Sequence, residues 1–277
     1  MSTKKYAVIG HPIGHSLSPF IHEKLFALDN IDASYIALDI EDINADYDSK
    51  LRVFDGYNVT IPHKQNIITK LDRISDKALL CNSVNTVRNT DKAEGFTTDG
   101  YGFLSAVKSK CNNTLPKNIM IFGYGGAARA IAFECIAHGS DVCFAVRKKS
   151  ITNAQMLVDE IADKTGAKAQ VFSVCDIPQD INIDLVVNAT PVGMYPHTDA
   201  CVVPDTVIKR ATAVFDSVYN PLETRLLKKA KDMNKITIGS IDMLVYQAAK
   251  AHEIWVGATY CDSDLVKICE LTADKLR

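Results

Sequence analysis

The sequence predicts an α/β protein of two domains, an α/β substrate domain and a doubly wound Rossmann-type dinucleotide-binding domain. Three observations predict it. Short apolar runs alternate with amphipathic stretches, the pattern of strand–helix units around a largely parallel sheet. A glycine turn, Gly123-Tyr124-Gly125-Gly126-Ala127-Ala128, follows one apolar run and opens an alanine-rich helix. The chain has 277 residues, more than one average domain needs.

Residues 6–9 form a short apolar strand that stops at Gly10. Pro19 opens a helix running to residue 28, with Phe20, Ile21, Leu25 and Leu28 on its apolar side. Residues 33–40 and 56–60 read as two further strands, so the first part of the chain predicts a parallel-type sheet. A second series begins at residues 118–122, a strand of the buried type, followed by the glycine turn and a helix to residue 137. Gly139 closes that helix. A strand over 141–146, a helix over 152–165 and strands over 168–173, 184–188, 214–216 and 237–238 continue the winding. From Asp242 the chain reads as helical, with Met243, Gln247, Ala251 and Ile254 at helical spacing. The boundary near residue 102 falls at a helix start rather than in a tether, so the domains are expected to abut.

Composition narrows the function. A formal net charge of -2 argues against a nucleic-acid surface or a polybasic membrane surface. No apolar run approaches the roughly 20 residues of a membrane span. The start of the chain shows no signal-peptide core, so a cytoplasmic protein is expected. The eight cysteines are scattered, without a C-x-x-C pair, and read as reduced thiols. Asn58, Asn112 and Asn188 begin Asn-x-Thr triplets, which matter as glycosylation acceptors only in a secreted protein. His11 and His15 stand four apart, but Pro12 and Gly14 preclude a shared helix face, and no metal site is expected.

The glycine turn carries the first chemistry. Gly123 permits the tight turn, Gly125 lets the backbone approach a pyrophosphate, and Ala128 keeps helix and strand close. Gly126 and Ala127 begin the helix whose free amide groups favour an anion. About 20 residues on, where an NAD site usually carries a carboxylate, the chain has Val146-Arg147-Lys148-Lys149. Adjacent cations suit a 2′-phosphate better than a ribose hydroxyl, so NADP(H) is the expected cofactor, with Arg147 its strongest ligand and Lys148 beside it. A solvated basic loop is the alternative.

The run Asn58-Val59-Thr60-Ile61-Pro62-His63-Lys64 presents an amide, a hydroxyl and an amine next to a stiffening proline. Asn58 and Thr60 lie two apart at a strand end, where they share a face, and open α/β sheets bind ligands beyond such ends. Ser16 and Ser18 repeat the spacing. Pro19 biases Ser18 toward an extended conformation, so that both hydroxyls share one side; alternatively Ser18 caps the helix. Lys64 is the candidate proton carrier, since a hydride transfer at a secondary alcohol needs a base for the hydroxyl proton. Asp99 is its candidate partner. Read alone, Lys64 is an exposed lysine and Asp99 a helix cap.

These blocks, in this order, resemble the shikimate dehydrogenase family across nearly the whole chain. They are residues 10–19, residues 58–64, Ser83-Val84-Asn85-Thr86, Thr97-Thr98-Asp99-Gly100, the glycine turn and Asn188-Ala189-Thr190-Pro191-Val192-Gly193-Met194. Tyr219-Asn220-Pro221 with Thr224, Gly239, Met243-Leu244-Val245 and Gln247-Ala248-Ala249 complete the set. The resemblance implies NADPH-dependent reduction of 3-dehydroshikimate to shikimate, a step of aromatic amino-acid biosynthesis, with Lys64 and Asp99 as the catalytic pair. It implies that Ser16, Ser18, Asn58, Thr60, Asn85, Asp99, Tyr219 and Gln247 hold the substrate. Asn188, Thr190, Met194 and Gly239 would bind the cofactor, with Met243 near the nicotinamide. It also implies a discontinuous substrate domain, 1–102 plus 243–277, around a dinucleotide domain, 103–242, in a monomer or homodimer.

The chain departs from the family pattern at Thr97, where Asn is usual, at Asp242, where Gly is usual, and at Val146-Arg147-Lys148, where Asn-Arg-Thr is common. Two other readings compete: a quinate/shikimate dehydrogenase of broader substrate or cofactor range, and a catalytically silent NADP-binding regulatory module. The intact Lys64 and Asp99 speak against the second.

Overall fold

A computed structural model describes residues 3–276. They divide into two units, one running to Gly102 and resuming over Leu244–Lys275, the other spanning Phe103–Met243.

The first unit contains β1 (Lys4–Gly10), α1 (Ser18–Leu28), β2 (Ala33–Asp39), α2 (Ile43–Asp46), β3 (Gly56–Val59), β4 (Arg73–Ile74), α3 (Asp76–Cys81), β5 (Thr86–Asn89) and β6 (Ala93–Phe96). α4 (Asp99–Lys110) then leads out of it. The six strands lie in the order β2-β1-β3-β5-β6-β4. β1 pairs parallel with β2 and β3, as expected, but β5 pairs antiparallel with both β3 and β6. The sheet is therefore mixed rather than parallel. The reason is local: β5 and β6 are joined by a tight turn, Thr90–Lys92, and a hairpin can only be antiparallel. β3 is buried along its whole length, so both its faces are covered.

The second unit contains β7 (Asn118–Phe122), α5 (Gly126–Ala137), β8 (Asp141–Val146), α6 (Ile151–Thr165), β9 (Gln170–Ser173), β10 (Leu185–Asn188), α7 (Asp205–Arg210), β11 (Ala213–Asp216), α8 (Arg225–Asp232) and β12 (Ile236–Ile238). Its sheet is parallel throughout, in the order β12-β11-β10-β7-β8-β9. Chain order reverses between β7 and β10, the switch point at which doubly wound sheets open a ligand crevice. Met120, Phe122, Val186 and Val214 build the core beneath it.

The C-terminal region is helical, as expected, and consists of two helices. α9 (Ser240–Val256) ends where Gly257 takes a positive φ of 71°, and α10 (Asp262–Asp274) follows. The left-handed glycine and Thr259-Tyr260 turn the chain before helix can resume. In the first unit, Trp255 of α9 stacks on Tyr6 with ring centroids 4.7 Å apart, and its Nε1 donates to the Val87 carbonyl at 2.9 Å. A Cβ on Gly56 would lie 2.5 Å from that Nε1, so the indole needs a glycine there.

Candidate active site

The first unit gathers its polar side chains where β1 and β3 end. The loops leaving these strands touch: the Thr60 amide donates to the Ile9 carbonyl at 2.8 Å, and the His11 amide to the Ile61 carbonyl at 3.0 Å. A Cβ on Gly10 would sit 2.5 Å from the Thr60 methyl, so only glycine lets them close. His63 is buried and its Nε2 donates to the Ile40 carbonyl at 2.5 Å. The Val84 amide donates to the Lys64 carbonyl at 2.8 Å. These bonds hold the backbone of Lys64 from both sides.

Lys64 Nζ lies 2.6 Å from Asp99 Oδ2, with the two side chains only 14% and 7% exposed. The exposed-lysine alternative is thereby set aside. Asp99 does open α4, but its carboxylate is spent on side chains: Oδ2 on Lys64, and Oδ1 on Asn85 Nδ2 at 2.9 Å. Asn85 is the hub. Its Nδ2 also approaches Thr98 Oγ1 at 2.9 Å and Gln247 Oε1 at 3.2 Å, while its Oδ1 accepts the Thr98 amide at 2.7 Å. Asn58 Nδ2 donates to the Asn85 carbonyl at 3.2 Å and to Thr86 Oγ1 at 3.1 Å, and its Oδ1 accepts the Tyr35 hydroxyl at 2.7 Å. Lys64, Asp99, Asn85, Asn58 and Gln247 thus form one hydrogen-bonded cluster, all buried except half-buried Lys64. Sequence reasoning missed three of its members, Tyr35, Thr86 and Thr98. Thr86 and Thr98 belong to the blocks Ser83-Val84-Asn85-Thr86 and Thr97-Thr98-Asp99-Gly100; no sequence signal marks Tyr35.

Ser16 and Ser18 are half-buried in the loop after β1. The expectation that both lie in extended chain fails, because Ser18 is the first residue of α1. Its amide donates to Ser16 Oγ at 3.2 Å, and this bond draws Ser18 into the first turn despite Pro19. The capping alternative also needs correction: the residue before α1 is Leu17, without a side-chain cap, so Ser16 supplies the hydroxyl that Ser18 was expected to supply. Thr60 is half-buried at the β3 exit.

In the second unit, Gly123 has φ +110°, and a Cβ there would meet the Ala189 carbonyl oxygen at 3.0 Å. Gly125 precedes α5 with ordinary φ, and no side chain caps the helix. A Cβ on Gly125 would meet nothing within 4 Å. Gly125 is exposed and Gly126 and Ala127 are half-buried, so the uncapped start of α5 is open at the end where free amides favour an anion. Arg147, Lys148 and Lys149 are exposed at the end of β8. Tyr124 reports their field: hydrogen bonds from Asn153 and Ser150, with the charges of Arg147 and Lys149, hold its phenol below the ordinary range. These residues fit a dinucleotide with a 2′-phosphate.

Asn188 is buried, and its side chain shapes the loop that follows β10. Its Oδ1 accepts from Thr190 Oγ1 at 2.7 Å, and its Nδ2 donates to Asp216 Oδ1 at 2.9 Å and the Val192 carbonyl at 3.2 Å. Asp216 also accepts from Thr224 Oγ1 at 2.6 Å, yet burial raises its carboxyl pKa to about 6. Met194 is exposed, Gly239 stands between β12 and α9, and Met243 is buried on α9, four residues from Gln247 and on its face. Tyr219 is half-buried just past β11, in the second unit rather than with the other expected substrate ligands, and burial raises its phenol pKa. Among the described residues, no group of three or more His, Cys, Asp or Glu is placed to hold a metal, and no helix is long and apolar enough to cross a membrane.

A family model described as the shikimate dehydrogenase substrate binding domain matches residues 8–87. A shikimate dehydrogenase (NADP(+)) of Methanocaldococcus jannaschii is 41% identical over 263 residues, 92% of each chain. The crystal structure of shikimate 5-dehydrogenase from Listeria monocytogenes, in complex with shikimate and NAD, is 34% identical with a TM-score of 0.85, covering 97% of this chain and 96% of that one. The Thermus thermophilus enzyme, in complex with NADP(H) and shikimate, is 31% identical with a TM-score of 0.83, covering 97% and 99%. With such identity over nearly its full length, the chain belongs to the shikimate dehydrogenase family.

Proposed function

We propose that this protein catalyses the reversible NADPH-dependent reduction of 3-dehydroshikimate to shikimate, a step of aromatic amino-acid biosynthesis in the cytoplasm. The observation that carries the proposal is the half-buried Lys64–Asp99 pair at 2.6 Å, oriented by Asn85, in a chain of this family.

Bound NADPH supplies a hydride from nicotinamide C4. Everything else is the work of side chains. Lys64 donates a proton to the substrate's ring carbonyl oxygen as it becomes a hydroxyl, and takes it back in the reverse direction. Asp99 holds the ammonium aimed, and Asn85 holds Asp99. Ser16, Ser18, Asn58 and Thr60 serve as ligands of the substrate's carboxylate and hydroxyls, with Asn85, Tyr219 and Gln247 completing the set. Gly125 and the α5 amides hold the pyrophosphate, and Arg147 and Lys148 the 2′-phosphate. Asn188 acts by shaping the loop that presents Thr190 and Met194, while Gly239 and Met243 border the nicotinamide. Cytoplasmic placement is supported by the cysteines, none of which is paired in a disulfide.

The test is a steady-state comparison of shikimate and quinate, each with NADP+ and NAD+. Shikimate with NADP+ is expected to give the highest kcat/KM. Faster turnover of quinate would favour the quinate/shikimate reading instead, and no turnover of either would leave only the regulatory one.

A further inference from the structure

Behind the site, on the far side of Asn58, lies a chain of polar groups that the reaction above does not use. Asp29 follows α1, Tyr260 precedes α10, and His252 and His22 project from α9 and α1. The Tyr260 hydroxyl bonds Asp29 Oδ2, His252 Nδ1 lies 2.8 Å from that hydroxyl, and His22 Nδ1 lies 2.9 Å from His252 Nε2. The His22 ring stacks on Tyr35, centroids 4.1 Å apart and planes 7° from parallel, and Tyr35 donates to Asn58 Oδ1 at 2.7 Å.

We infer that His22 and His252, anchored through Tyr260 to Asp29, are positioning residues that orient Tyr35 and the Asn58 amide in the substrate site. The inference rests on the reading of Asn58 as a substrate ligand.

Hydrogen-bond polarity follows from the donor inventory. A carboxylate only accepts, so the single Tyr260 proton goes to Asp29 and the phenol oxygen must accept from His252 Nδ1–H. A neutral His252 then offers a lone pair at Nε2, which receives His22 Nδ1–H. Both rings are neutral, because burial pushes His22 well below the usual histidine range and His252 to about 3. Each ring is thereby locked in one tautomer and one orientation, and the locked His22 face is the platform for Tyr35. From there the order runs on: Asn58 Nδ2 binds Thr86, and Asn85 Nδ2 binds Asp99 Oδ1. A pair of apolar rings of the same volume would pack as well but would fix no tautomer and no rotation.

The experiment uses the full chain. Imidazole 15N spectra of the wild type are expected to show His22 and His252 both neutral with the proton on Nδ1. The Nε2–H tautomer at either ring, or a cation near neutral pH, would overturn the chain. Tyr260→Phe and, independently, Asp29→Asn remove its anchor at a distance from the substrate. Each is expected to move the Asn58 side-chain amide resonances and to raise the shikimate dissociation constant three- to tenfold, leaving that of NADP+ unchanged. A lower Tm with Asn58 resonances and shikimate affinity unmoved would reduce the chain to a structural role and overturn the inference. If the wild type binds no shikimate, the proposed function fails, while the tautomers and the Asn58 resonances still decide the relay.

Discussion

Lys64 is a lysine made specific by its neighbours. Its Nζ has a carboxylate at 2.6 Å, and that carboxylate is held in turn by Asn85. Replacing Lys64 by alanine is therefore expected to cut kcat roughly 100- to 10,000-fold, the usual worth of a positioned acid/base. Shikimate affinity, measured by calorimetry, should stay nearly unchanged; an active variant would remove Lys64 from the mechanism. Arg147 acts by charge and geometry on the cofactor. Arg147→Ala is expected to weaken NADP+ binding about ten- to a hundredfold, the loss of one charged hydrogen-bonding group, with NAD+ affinity unaltered. Equal weakening of both cofactors would count against a 2′-phosphate contact. Asp216 makes a pH prediction. Its folded pKa, about 6, exceeds the ordinary aspartate value of 3.8, so the folded state holds a proton that the unfolded state releases. Its contribution to stability is full below about 3.8 and is lost as pH rises through about 6, by about 3 kcal/mol in all. Urea unfolding of wild type and Asp216→Asn across that window should show their stability difference moving in favour of the variant. A difference that does not change with pH would mean that the three donors around Asp216 outweigh its burial.

At the scale of elements, the two glycines of the turn after β7 have separable tasks. Gly123 is needed by the backbone: its φ is +110° and its Cβ would press on the Ala189 carbonyl. Gly123→Ala is expected to cost about 1–3 kcal/mol of stability, seen as a lowered Tm. Gly125 has an ordinary φ of -74° and nothing within 4 Å of its Cβ. Gly125→Val should melt like the wild type but bind NADP+ poorly, because its side chain enters the space before the α5 amides. Equal effects of the two changes on Tm would contradict this division. The strand and helix positions were largely legible, since hydrophobic period and punctuation by glycine and proline are local properties. The β5–β6 hairpin was not. Its strands are four residues each and carry polar Thr86, Arg88, Asn89 and Glu94, so no apolar run marks them. The order of α1's first turn was illegible for a related reason: a single bond from Ser18 to Ser16 overrode the bias that Pro19 imposes.

For the molecule as a whole, no disulfide joins the eight cysteines, and five of them, Cys111, Cys143, Cys175, Cys201 and Cys261, are half-buried or exposed. No covalent bridge then contributes to stability, and Tm should be the same with and without reductant; all eight thiols should react with a thiol reagent after denaturation. A reductant-dependent Tm would expose a disulfide. The sequence by itself determined the α/β class and the two dinucleotide-site features, because each depends on residue type at short spacing; Lys64 and Asp99, 35 residues apart, it marked only as candidates. Tertiary structure alone decided who holds whom. Asn85 meets Asp99, Thr98 and Gln247 only because β5 runs antiparallel between β3 and β6 and α9 returns to the first unit. Tyr35 reaches Asn58 only across the β2-β1-β3 order. Such partners depend on register and strand order and, for Gln247, on a helix 162 residues from Asn85, and local propensity carries no record of either.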